Sequence, residues 1–251
     1  RANATVLKNQ FERLVPANFV PLRIVIDNGW QVSWGQWSPN EKFGGDLSML
    51  VSDLKAQGFN VGIWLAPLLV DENDPLVMEH PGWFVRDAVY THPRHGNFKI
   101  LDVTHHEVAS HLRSMMSELV GLGIDLLKLD YLFAGTFEGG RLESMTGIEA
   151  YNRAITIIRD AVGDDVILHV ASAPPIAGFD RIDIWRTGPN TTFQVIGPNW
   201  FLLPAIGRSL AAHWPYCRAV LCQGEPALLK ILEQNEVAVG GWAAALGGGG
   251  F

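Results

Sequence analysis

The chain has 251 residues, 48% of them hydrophobic, and a formal net charge of -7. That length supports one large core and no linker interrupts it, so a single domain over residues 1–251 is expected. The 19 Lys and Arg are scattered rather than gathered into a stripe, which argues against nucleic acid as a partner, and no uncharged run reaches the length of a membrane span.

Residues 4–14 carry apolar side chains at helical spacing, and 19–26 form a β-branched run that ends in Asp27, Asn28, Gly29, Trp30. The same order of helix, strand and loop returns. A helix is predicted over 47–57, stopped by Gly58, then a strand over 60–65, with Ala66 and Pro67 opening a loop. Further on, 107–122 reads as a long amphipathic helix and 124–129 as a buried strand that delivers Asp130. Helix 148–161 and strand 166–170 follow, then a short strand over 182–185, a helix over 204–213, a strand over 219–222 and a closing helix over 233–246. Cys217 and Cys222 read as small apolar residues rather than a bridge or a metal clip. They leave the compartment open, with the cytoplasm favoured.

Strands apolar on both faces, alternating with amphipathic helices, indicate a parallel sheet covered by helices. No GxGxxG turn follows the first strand, which weakens a dinucleotide-binding fold, whereas polar and aromatic residues at nearly every strand end suit a barrel mouth. The expected fold is an α/β (β/α)8 TIM-type barrel, incomplete or rebuilt at its termini, since about six strands are legible where closure needs about eight.

In such a barrel the residues just after each strand meet at one face. These are Asp27, Asn28 and Trp30, then Trp64, then Lys128, Asp130 and Tyr131, then Ser172, then Arg186 and Asn190. Carboxylates, Lys, Arg and Trp around one hollow suit sugar recognition, because indole faces stack on pyranose C–H surfaces and charged groups bind hydroxyls. Taken singly, Asp27 or Asp130 reads first as a cap, and Trp64 as core. Lys128 is harder to explain as packing: an apolar strand gains nothing by burying an ammonium two residues before a carboxylate on the same side.

Six segments in order resemble successive signatures of glycoside hydrolase family 36, the α-galactosidases and their relatives. They are IDNGWQ at 26–31, GIWLAP at 62–67, HPGWFV at 80–85, LDVTHHEV at 101–108, LKLDYLFAG at 127–135 and RTGPN at 186–190. The resemblance implies a retaining hydrolase of terminal α-D-galactosyl groups, with a small α-galactoside as partner and no metal or organic cofactor. It places Asp130 as nucleophile, Lys128 and Asp27 as sugar-binding groups, Trp64 as a subsite wall and Arg186 as the arginine before the acid/base. Lys128 is then expected to face Asp130 as its counter-charge.

Asn190 stands where that family keeps its acid/base aspartate, and an amide has no proton to give and cannot act as a base. Asn28, Gln36 and CQGE at 222–225 also stand where the family tends to show Asp, and Val170 replaces a cysteine. Impaired turnover is therefore expected, and the alternative is a sugar-binding pseudoenzyme or an engineered barrel scaffold. Arg1 follows no β-sandwich and ALGGGGF stops where a last strand is due, so an isolated or rebuilt core is expected, whose open edge a second copy could cover as a homo-oligomer. A metal-dependent barrel hydrolase is the third reading, raised by His92, His95, His105, His106 and His169, but these histidines read as surface and no His-x-His stands at a strand end.

Overall fold

In a computed structural model, the structure describes residues 23–174, 177–186, 192–193, 197–198, 208–209, 211–212 and 221–223. The expected helices over 4–14 and 233–246, the glycine tail, Cys217 and Asn190 lie outside the described residues, as does most of 204–213.

Six strands form one parallel sheet: β1 (Arg23–Ile26), β2 (Asn60–Leu65), β6 (Leu126–Leu129), β7 (Ile167–Val170), β8 (Ile184–Arg186) and β11 (Leu221–Gln223), in the order β1-β2-β6-β7-β8-β11, while β9 (Thr192–Phe193) and β10 (Gly197–Pro198) pair antiparallel with each other. Each consecutive pair is parallel, as the near-continuous apolar runs require. Among the described residues β1 and β11 are edges, so the sheet is that of an α/β fold and a closed eight-stranded barrel is not seen in them.

Helices α1 (Ser48–Ala56), α3 (His106–Gly121) and α4 (Gly147–Val162) connect the first strands and cover one face. Ile63, Leu65, Leu127, Leu129, Leu168 and Val170 pack with Leu112, Met116, Ile155 and Ile158 of the helices, all buried. Because side chains alternate along a strand, the residues between them face the other way. α4 begins at a capping box in which Thr146 accepts from Glu149 N and the Glu149 side chain returns to Thr146 N, and it ends at Gly163 with φ 72°.

Between β2 and α3 the chain makes an excursion where the sequence suggested only a loop. β3 (Leu69–Asp71), α2 (Pro75–Glu79), β4 (Phe84–His92) and β5 (Gly96–Leu101) build a small antiparallel sheet in the order β3-β5-β4. Pairing slips between Phe84 and Val89, and Asp87 sits there at φ 62°. This bulge breaks the period-two pattern, with Phe84 and Val85 both buried, which is why alternation did not announce the strand. The segment 131–142 after β6 is clamped to this sheet. Arg86 and Gly140 exchange backbone hydrogen bonds, buried Asp102 accepts from Leu142 N and from Thr104, and Arg141 donates to the carbonyls of Gly135, Phe137 and Gly139.

Candidate active site

Register decides what faces the uncovered side of the sheet. Trp64 pairs with Lys128, Lys128 with His169, and His169 with Ile184, so these side chains share one row opposite the helices. Asp27 follows Ile26, the partner of Ile63, and therefore joins the row beside Trp64. Asp130 and Arg186 lie two residues beyond Lys128 and Ile184, one level nearer the carboxyl ends on the same side.

Lys128 Nζ donates to Asp27 Oδ2 at 2.6 Å, with both side chains mostly buried. Asp130 is held by other groups: Trp64 Nε1 donates to its Oδ2 at 3.1 Å, and Tyr131 N donates to its Oδ1 at 2.8 Å. The Lys128 ammonium thus bonds a carboxylate beside it in the row rather than the Asp130 carboxylate one level above it. Each Asp130 oxygen keeps a further lone pair for a ligand or an electrophilic carbon.

Tyr131 adopts the left-handed conformation at φ 54°, uncommon for a residue with a Cβ, where the chain turns from β6 into a short 3-10 turn. Its hydroxyl lies 3.2 Å from His92 Nε2. Burial, and then the Asp130 charge, push the Tyr131 pKa up to about 12. Burial, and then the neighbouring His95 and Arg94 charges, lower that of His92. Trp34, delivered by the loop after β1, packs on Trp64, Tyr131, Phe98 and the rings of His92 and His95, at centroid distances of 5.3, 5.0, 4.6, 6.2 and 5.8 Å. Sequence reading missed Trp34 and the contact of His92 with Tyr131. The latter pair is 39 residues apart, and its partner strand is the bulged one.

The other expected site residues fall out unevenly. Trp30 is corrected: it is fully buried, and its indole N–H donates to Trp64 O at 2.8 Å, so it is core and offers no face to a ligand. Trp64 is 2% exposed and reaches the site through its N–H, as the backing of Asp130 rather than an open platform. Asn28 is exposed, with its Oδ1 taken by Gln31 Nε2 at 2.8 Å. Ser172, exposed at φ 51°, lends its carbonyl to Phe133 N. Arg186 is half-buried at the end of β8. The surface reading of the histidines fails for His92 and His169, both buried. Among the described residues no three His, Cys, Asp or Glu side chains gather as a metal-ligand set, and no helix is long and apolar enough to cross a membrane.

Other carboxylates near the strands serve the framework. Asp183 accepts from Arg159 at 2.5 Å and from Leu168 N at 2.8 Å, Glu143 pairs with Arg153 at 2.6 Å, and Glu138 takes Gly147 N at 2.9 Å.

Residues 21–142 match the Melibiase family model, a segment that contains Asp27, Trp64, Lys128 and Asp130. The bifunctional α-galactosidase/sucrose kinase AgaSK of Mediterraneibacter gnavus is 32% identical over 117 residues, covering 43% of this chain and 12% of that protein. Alpha-galactosidase C of Emericella nidulans is 27% identical over 115 residues, 38% of this chain and 15% of its own. In fold, the chain is similar to TtGalA, the α-galactosidase from Thermus thermophilus solved with p-nitrophenyl α-D-galactopyranoside, at TM-score 0.74 and 23% identity over 93% of this chain and 52% of that one. The chain thus spans about half of that structure, and the matches cover a small part of the two curated relatives. Over residues 21–142, then, the chain matches the Melibiase family model, that of the GH36 α-galactosidases, and is similar in sequence to α-galactosidases.

Proposed function

We propose that this chain cleaves terminal α-D-galactosyl groups with retention of configuration, through a covalent intermediate on Asp130. The observation that carries the reading is the carboxylate of Asp130 at the carboxyl end of β6. Trp64 and its own following amide fix it above the Asp27–Lys128 pair, inside the segment that matches the family. A carboxylate oxygen attacks the anomeric carbon as the bond to the leaving oxygen breaks. The sugar passes through an oxocarbenium-like transition state, and water later displaces the ester. The Asp27–Lys128 pair supplies charge-assisted hydrogen bonds for sugar hydroxyls.

In enzymes of this kind a second carboxyl about 5–5.5 Å away protonates the leaving oxygen and then activates water. This chain has Asn190 at the matching place in RTGPN. An amide does neither, so both half-reactions slow for natural substrates, while an aryl galactoside needs little acid to release its leaving group. A second reading, a sugar-binding chain without turnover, rests on the same amide.

Replacing Asn190→Asp separates them. A rise of roughly 10²–10⁴-fold in hydrolysis of an unactivated α-galactoside such as raffinose is expected, the range of one general acid/base. Galactose binding without any gain in hydrolysis would favour the second reading.

A further inference from the structure

Tyr131 follows Asp130 directly, and neither the family resemblance nor the proposed chemistry of Asp130 gives its hydroxyl a role. It is held by a device of its own. The Arg94 backbone N–H donates to His92 Nδ1 at 3.1 Å. That nitrogen therefore carries no proton, and the neutral ring keeps its proton on Nε2. His92 Nε2–H must then donate to the Tyr131 oxygen, 3.2 Å away, which leaves the hydroxyl's own proton to point elsewhere. Among the described residues no acceptor for that proton is found.

Three further observations aim the hydroxyl at the site. The left-handed backbone at Tyr131 follows Asp130 directly, and strain of this sort, of order 1 kcal/mol, persists where the surroundings over-determine it. Trp34, Tyr90 and Phe133 hold the ring, at 5.0, 5.8 and 6.1 Å between centroids. The ring is half-buried rather than sealed, and its hydroxyl feels the charges of both Asp130 and Asp27.

We infer that Tyr131 is a ligand-binding residue whose hydroxyl donates a hydrogen bond to an oxygen of the sugar seated over Asp130, and that His92 is its positioning residue. The inference rests on the proposed galactosidase reading and adds two residues to it. At neutral pH Tyr131 stays protonated and His92 stays neutral, so the donor direction from His92 through Tyr131 to the ligand is fixed.

The experiment uses the full chain and measures galactose affinity by calorimetry, with kcat and KM for p-nitrophenyl α-D-galactopyranoside alongside. Tyr131→Phe removes one oxygen and should weaken galactose binding and kcat/KM roughly three- to tenfold with Tm held. His92→Leu should lose a similar factor, His92→Gln should regain most of it because its amide N–H can replace Nε2–H, and His92→Leu should cost nothing further in a chain already carrying Tyr131→Phe. The inference is overturned if a parent that binds galactose is unaffected by Tyr131→Phe. It also fails if the two losses add, or if His92→Gln is as poor as His92→Leu. A folded parent that neither binds galactose nor releases nitrophenol overturns the galactosidase reading itself, and the role of Tyr131 falls with it.

Discussion

Lys128 and Asp27 are 101 residues apart in the chain and 2.6 Å apart in space. With most of both side chains out of water, removing either partner leaves the other charge poorly solvated. Lys128→Met should therefore destabilise the fold by about 1–3 kcal/mol, read by urea unfolding, and weaken galactose binding at the same time. Protonation gives a second test at this scale. His92 and His111 have lowered pKa values, burial being the first cause in each. Their neutral forms are favoured by folding, so the stability they contribute is present above the unfolded histidine value of about 6.5 and is lost as pH falls below it. Tyr131, at about 12, and Tyr151, raised by burial, work in the opposite direction: their contribution is present below about 10 and is lost as pH climbs through the folded values. A profile of Tm against pH should thus fall on both sides, and a flat acid limb from pH 7 to 5 would contradict the placement of the two imidazoles.

Among the elements, α4 depends most visibly on one small residue. A Cβ on Gly147 would lie 2.0 Å from Thr136 O, a backbone atom that cannot swing aside. Gly147→Ala should cost about 2–4 kcal/mol in chemical denaturation, whereas Thr146→Ala, which only opens the capping box, should cost about 1 kcal/mol. Equal costs would mean that the helix start yields to make room. At this scale the sequence was most readable where one period ran unbroken. The predicted strand 60–65 is β2, and the predicted helices 107–122 and 148–161 differ from α3 and α4 by a residue at each end. It was least readable across β4 and β5, because the slip between Phe84 and Val89 puts buried residues next to each other and mimics irregular chain.

For the whole molecule, a parallel sheet turns distant sequence positions into neighbours at one end. The register of the strands sets Asp27, Trp64 and Lys128 in one row and Asp130 one level above it, on the side the strand-end rule named. The same rule failed for Trp30, which lies beyond the last β1 residue, where a loop is free to turn its side chain under the sheet end and bond Trp64 O. It was silent on His92 and Trp34, since the excursion that carries one and the loop that carries the other reach the mouth by tertiary packing, not by strand order. Lys128 was singled out for its cost of burial, yet its partner could be named only once the register of β1 on β2 was known.

Intact-protein and peptide mass spectrometry after incubation with p-nitrophenyl α-D-galactopyranoside tests the central role of Asp130 most directly. An amide at position 190 cannot activate water, so the ester should accumulate. One galactosyl group is expected on the peptide that carries Asp130, absent in the Asp130→Asn chain. A folded parent that shows no adduct and releases no nitrophenol, or an adduct on another residue, would contradict the account.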